Sequence, residues 1–326
     1  MKTKTWAWIL GGLVAALILI VAGVMLYIRF ALPNVPLQNI SLQITPERVE
    51  RGKYLANHVT VCMDCHSGRD WERFSGPPIP GTLGKGGEVF DQKMGFPGAF
   101  SSPNITPFNL SGWTDAEIYR AITSGETKDG SAMFPIMPYF AYATMDSEDI
   151  YAIIAYIRSI PSVRYTAPPS NPAFPMNLVL RTFPKNPRPV PRPPESDTIK
   201  YGEYLVRASG CIECHTTAKH GQIVKSLAFS GGREFIMPGG VLSSPNITPD
   251  EETGSGRMSR QDFISRFKAY DPASYNAPKL SRKDMPTIMP WTMYAGMEVK
   301  DLSAIYAYLH SLPAKKNLVI KWKPLQ

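Results

Sequence analysis

From Trp6 to Ile28 the chain runs for 23 residues without a charged side chain, most of them Leu, Ile, Val and Ala. A helix rising 1.5 Å per residue over that length crosses a hydrocarbon core of about 30 Å. The pattern therefore predicts a transmembrane anchor within residues 1–30. Trp6, Trp8 and Tyr27 stand near its ends, where amphipathic rings favour the headgroup layer. Lys2 and Lys4 precede it, which predicts a cytoplasmic N-terminus and everything after Arg29 outside. The expected setting is a single membrane pass, with the body of the chain exported. A cleaved signal peptide is the competing reading. Its apolar run is about 7–15 residues long and ends at a small-x-small site, whereas Ile20 stands where this chain would need a small residue.

Beyond the anchor the apolar positions follow helical periods. Ile150, Ile153, Ile154 and Ile157 fall at i, i+3, i+4 and i+7, and Leu302, Ile305, Tyr306 and Leu309 repeat that spacing. Pro161 and Pro313 stop both helices. Thr114-x-x-Glu117 and Ser259-x-x-Asp262 resemble capping boxes, each followed by an apolar i, i+4 pair, Ile118/Ile122 and Phe263/Phe267. Alternating strand patterns are scarce, so the expected fold class is all-α.

These matches are parts of an internal repeat. The heptapeptide SSPNITP occurs at 101–107 and again at 243–249, and residues 149–161 match 301–313 at seven of thirteen positions. Gly52-Lys53-Tyr54-Leu55 answers Gly202-Glu203-Tyr204-Leu205. The expected organisation is two copies of one domain, 45–161 and 197–313, joined by a proline-rich linker at 162–196 and followed by a basic tail at 314–326. Ten prolines between Ser162 and Asp197 make the linker extended and stiff.

With 44% hydrophobic and 19% charged residues, the chain is globular, and wholesale disorder is excluded. The net charge of +8 is unevenly placed: residues 40–165 carry −3 and residues 200–326 carry +6. No stretch interleaves basic and stacking aromatic residues as a single-strand binder does, so nucleic acid is not an expected partner.

The four cysteines complete the picture. All of them lie in two pentapeptides, Cys62-Met-Asp-Cys65-His66 and Cys211-Ile-Glu-Cys214-His215. Haem carries vinyl groups on adjacent pyrrole rings, and two thiols three positions apart reach both as thioethers. The next His then supplies the proximal nitrogen, so the motif reads as a c-type haem attachment site. Two covalently bound haem c groups are the expected cofactors. A zinc site needs four closed ligands, yet the two pairs stand 149 residues apart. A thioredoxin-like pair expects a βαβ context, and disulfides would leave both histidines unexplained.

For the sixth iron ligand, the remaining histidines His58, His220 and His310 lack a matching His in the other copy. Two methionine pairs do repeat at an offset of 152, Met137/Met289 and Met145/Met297. Met137 and Met289 lie in Pro-bounded loops ahead of the last helix and are the preferred axial ligands; Met145 and Met297 are the fallback. Asn104/Asn246 are candidates for shaping the haem-edge loop or bonding a propionate, or merely for capping a turn. Trp113 and Trp291 are candidate crevice walls or ordinary core.

The string RGxYL, CxxCH, SPNITP, a capped helix, MP(Y/W) and a final AYxxSxP helix resembles the cytochrome c subunits of membrane-bound bacterial alcohol, gluconate and sorbitol dehydrogenases. The resemblance implies two tandem class I-like cytochrome c domains behind one transmembrane helix. It also implies His66/Met137 and His215/Met289 ligation and single-electron transport within a respiratory or similar chain. No catalytic residue is expected. The partners it implies are a membrane redox complex, whether quinol-oxidising complex, dehydrogenase or terminal oxidase, and the basic second half adds a soluble acidic redox protein. Those subunits usually carry three haem domains and this chain has two CxxCH motifs. The alternatives are a dihaem oxidoreductase with one substrate-accessible, peroxidase-like haem, or an electron-transfer subunit of a membrane-bound dehydrogenase.

Overall fold

The uncharged N-terminal run folds as one helix, α1 (Lys2–Ala31), in the computed structural model, which describes residues 2–219, 221–281 and 284–324. His220, considered above as a ligand, and the last two residues of the tail lie outside the described residues. Thr5–Ala31 is long and apolar enough to cross a membrane, and none of its most apolar stretch is buried against the rest of the protein. Arg181 Nε donates to the Ile28 carbonyl at 3.0 Å. That contact satisfies an orphan carbonyl and sets a cation at the negative pole of the helix.

Thr45 caps α2 (Pro46–Tyr54), its hydroxyl accepting the Arg48 amide at 3.3 Å, with Pro46 at the helix start. A π-helical turn, Leu55–Val59, leads on toward α3 (Cys62–Cys65). The first repeat continues through α4 (Pro107–Leu110), α5 (Asp115–Ser124), α6 (Tyr139–Tyr142) and α7 (Ser147–Ser159), and the linker carries α8 (Met176–Val179). The second supplies α9 (Thr198–Ala208), α10 (Cys211–Cys214), α11 (Arg260–Lys268), α12 (Trp291–Tyr294) and α13 (Val299–Ser311). Both capping boxes form. Thr114 and Glu117 exchange bonds of 3.2 and 2.7 Å, and Ser259 and Asp262 bonds of 3.1 and 3.3 Å.

In each repeat the first long helix packs on the last, α2 on α7 and α9 on α13. Glycine makes the approach possible. A Cβ on Gly52 would lie 1.8 Å from the Ala152 carbonyl oxygen, and one on Gly202 would lie 2.0 Å from that of Ala304. The isoleucine face of α7 and the Leu302, Ile305 and Leu309 face of α13 are buried at these crossings, each side chain contributing about 1.5–3 kcal/mol.

A single apolar core runs through both repeats, and reciprocal hydrogen bonds join them. Tyr54 OH donates to Asp301 Oδ2 at 2.6 Å, while Tyr204 OH donates to Asp149 Oδ2 at 2.7 Å. Each carboxylate also has a partner in its own repeat. Arg51 forks onto Asp149 with two bonds of 3.0 Å, and Tyr201 OH reaches Asp301 Oδ1 at 3.0 Å.

The expected all-α class does not hold. Alongside 41% helix there is 10% strand and isolated bridge, and among the described residues the strands form three small antiparallel sheets. The first joins β1 (Val89–Phe90), β2 (Gly98–Ser101) and β3 (Asn171–Pro172); the second is a hairpin of β4 (Ala218–Lys219) and β5 (Gln222–Ile223). The third joins β6 (Glu234–Met237), β7 (Gly240–Ser243) and β8 (Trp322–Pro324), with Phe235 opposite Leu242 and Leu242 opposite Trp322. Strands of two to four residues are too short to display a period of two. Two of them, β3 and β8, come from segments beyond the repeats and pair with sequence-distant partners.

Gly202→Ala should lower unfolding stability by about 1–3 kcal/mol through overpacking, read by thermal or denaturant melts. Gly112→Ala, where a Cβ meets nothing within 4 Å, should leave the melt unchanged. Equal effects from the two would show that the helix crossing does not need glycine.

Candidate functional site

The two pentapeptides adopt one local structure. Each is a single helical turn entered from a left-handed residue, Val61 at φ 45° and Gly210 at φ 65°, so the paired thiols stand on one turn with the histidine at its end. For the β-branched Val61 that backbone is strained. Burial pushes the Cys65 and Cys211 thiols up to about 12, opposite to the shift a reactive thioredoxin-like pair needs. Among the described residues no cluster of three or more His, Cys, Asp or Glu could hold a metal ion.

Both histidines are oriented in the same way. His66 Nδ1 lies 2.8 Å from the Pro103 carbonyl, and His215 Nδ1 lies 2.9 Å from that of Pro245. A carbonyl can only accept, so Nδ1 carries the proton and Nε2 presents a lone pair. Burial holds both rings below the ordinary histidine range, against the support of that hydrogen bond, so they are neutral. The His66 and His215 carbonyls accept the Gly86 and Gly231 amides, each at 2.8 Å. Gly86 (φ 73°) and Gly231 (φ 76°) are left-handed, and a Cβ on either would meet the Pro103 or Pro245 backbone at 2.5 Å. This donor set suits a haem c: two thiols for the vinyl groups and one oriented imidazole nitrogen for iron.

The repeated SPNITP motif thus provides the proline carbonyl that aims the histidine. Sequence reasoning missed this role, and missed the glycines, although paired glycines (Gly86-Gly87, Gly231-Gly232) follow both histidines. Asn104 and Asn246 serve the same turn. Asn104 Oδ1 accepts from the Thr106 amide and hydroxyl at 2.9 and 2.7 Å, and its amide donates to the Val163 and Tyr165 carbonyls at 2.8 Å. Asn246 holds Thr248 with the same two distances and reaches Lys315 O at 2.7 Å. These are structural turns that also bind the segment following each repeat.

Met137 and Met289 are partly buried against the core, one residue before α6 and α12 begin with their proline caps. A buried tyrosine ties each of these helices to the attachment turn of its own repeat. Tyr142 OH donates to Thr60 O at 3.0 Å, and Tyr294 OH to Ser209 O at 2.7 Å. Met145 and Met297 are fully buried core residues. Trp291 stacks on Tyr270 at 4.8 Å, and Trp113 gives its carbonyl to Arg158. His310 stacks on Tyr306 at 3.9 Å. His58 is used between the repeats, its Nδ1 lying 2.8 Å from Met293 O and its ring filling the space that a Cβ on Gly296 would need.

Residues 199–313 match the cytochrome c family profile, which implies covalently bound haem c. The match covers the second repeat alone, so the expected pair of cytochrome c domains is not supported at family level. The chain is similar to the cytochrome c subunit of a quinone-dependent alcohol dehydrogenase from Gluconacetobacter polyoxogenes, with 28% identity over 81% of this chain and 56% of that one. It is likewise similar to the fructose dehydrogenase cytochrome subunit of Gluconobacter japonicus, with 29% identity over 82% of this chain and 53% of that one. A diheme cytochrome c-type protein of Cereibacter sphaeroides is 28% identical over 67% of this chain and 73% of its own length. The chain spans about half the length of the dehydrogenase subunits it matches.

Burial keeps His58 below its ordinary value of 6.5. A ring held neutral in the fold contributes stability above that ordinary value and loses it as pH falls from there toward the folded one. The melting temperature should therefore drop on acidification below about pH 6.5, and less steeply in His58→Gln. Identical pH profiles would show that His58 is not kept neutral.

Proposed function

We propose that this chain is a membrane-anchored dihaem cytochrome c that carries single electrons, with one haem c bound to each pentapeptide. The observation that carries this reading is the same neutral, carbonyl-aimed imidazole following two thiols on one turn, present twice. Cys62 and Cys65 would hold one haem and Cys211 and Cys214 the other. His66 with Met137 and His215 with Met289 would be the axial ligands. Haem c, when bound, supplies one-electron exchange at its iron.

The chain's own residues do the positioning. The Pro103 and Pro245 carbonyls fix the rings, Gly86 and Gly231 hold the histidine backbone, and Tyr142 and Tyr294 tie each methionine loop to its turn. Methionine ligation and burial raise the reduction potential. With His66, Met137, His215 and Met289 holding iron, no ligand position would be left for a substrate, and the protein would act as a carrier with no catalytic residue of its own.

The similar dehydrogenase subunits support a place in a membrane dehydrogenase complex. In this reading α1 anchors the haem-bearing body at the outer face of a bacterial inner membrane. The basic second half, net +6 over residues 200–326, would dock an acidic redox protein at the end of the route.

Met137→Ala and Met289→Ala should each lower the potential of one haem and abolish its weak near-infrared methionine-to-iron band, read by redox titration and absorption. If Met145→Ala or Met297→Ala does so instead, the axial assignment is wrong. A high-spin ferric signal from one haem of the unmodified protein would sink the carrier reading and favour a substrate-accessible haem.

A further inference from the structure

The two repeats differ between the proximal histidine and its glycine partner. The first takes 20 residues to pass from His66 to Gly86, the second 16 from His215 to Gly231. The longer segment in the first repeat reaches onto the second. Phe74 N donates to Pro278 O at 2.9 Å and Leu280 N to Glu72 O at 2.7 Å. Arg73 Nη1 donates to Asn276 Oδ1 and Ala277 O at 3.0 and 2.7 Å. The Phe74 ring stacks on Tyr270 at 6.0 Å, and Tyr270 stacks on Trp291 at 4.8 Å.

At the centre of this contact is Ser75, 1% exposed and left-handed at φ 69°. Its hydroxyl donates to Met289 O at 2.6 Å and accepts the Trp291 amide at 3.0 Å. One oxygen from the first repeat thus clips both ends of the Met289-Pro290-Trp291 step in the second. The clip is itself held. Arg69 donates to Ser75 O and Gly76 O, both at 2.8 Å, and pairs with Asp64 at 2.9 Å in a site almost closed to water. Asp64 lies between Cys62 and Cys65. A continuous polar chain therefore runs from the attachment turn of the first repeat to the methionine loop of the second. Among the described residues no arm returns from the second repeat to the first methionine loop, where the Met137 carbonyl accepts only the Tyr139 amide. A left-handed non-glycine residue is costly, and such outliers persist where their surroundings use them. Glycine would suit the backbone of Ser75 better but would lack the hydroxyl.

We infer that Ser75 is a positioning residue for Met289, so that the first repeat sets the strength of axial ligation in the second. The inference rests on Met289 being an iron ligand. A methionine in a proline-bounded loop holds iron only as well as its backbone is held. Ser75 supplies that restraint from outside the repeat.

The test uses the full-length holoprotein and imidazole, which competes with methionine for ferric iron. Ser75→Ala and Ser75→Gly should each raise the imidazole affinity of one haem roughly two- to tenfold, the weight of one hydrogen bond, and leave the other haem unchanged. The same haem should lose near-infrared band intensity and show a lower potential. Met137→Ala and Met289→Ala assign the two titrations. Wild-type imidazole binding in both Ser75 variants would overturn the inference. So would an effect of Ser75→Ala that Ser75→Gly does not reproduce, because the backbone rather than the hydroxyl would then be responsible. If Met289→Ala leaves both near-infrared bands in place, the ligand assignment itself has failed, an outcome read independently of any Ser75 variant.

Discussion

Two buried carboxylates, Asp149 and Asp301, sit in the first turns of α7 and α13, where the positive pole of a helix favours an anion. Each is bound from its own repeat, by Arg51 or Tyr201, and from the other repeat, by Tyr204 or Tyr54. An uncompensated buried charge costs about 3–5 kcal/mol, so neither carboxylate can lose its partners without a large penalty. The helix crossing within a repeat and the docking between repeats are therefore one constraint. The methionine loops lead through α6 and α12 into α7 and α13, and the histidine turns follow α2 and α9. Both halves of each candidate haem site thus hang from the same locked helices.

Much of this architecture was legible in the chain. The isoleucine spacing of α7, the matching spacing of α13 and the two capping boxes follow from local chemistry, which a sequence displays directly. What was hidden depends on backbone or on distant pairing. The Pro103 and Pro245 carbonyls that aim the histidines carry no side-chain signature, and the repeated SPNITP string and the glycine pairs marked the place without showing the role. Tyr54 and Asp301 are separated by 247 residues, and no periodicity links them. The short strands escaped because two to four residues display no period, and because β3 and β8 pair with strands 72 to 84 residues earlier in the chain.

The near-symmetry also shows where a duplicated fold has room to diverge. The attachment turns, tyrosine tethers and carboxylate locks recur in both repeats, although Asp149 also holds Arg192 from the linker, and each sits where a change would strain the core. The loop carrying Ser75 lies between a histidine and its glycine partner, with both ends fixed and its middle free to lengthen. Four added residues there reach the other repeat without disturbing either attachment turn.

The segments that follow the repeats have a consequence for where a folding unit ends. Val163 O and Lys315 O accept from Asn104 and Asn246, and β3 and β8 cover the edges of β2 and β7. A fragment cut at Pro161 or Pro313 would keep every residue of the visible repeat yet leave its asparagine amide short of partners and a strand edge open, the kind of edge that recruits other chains into aggregates. The smallest piece able to fold cleanly is longer than the piece a repeat search finds, so its borders must be drawn by hydrogen bonds rather than by similarity.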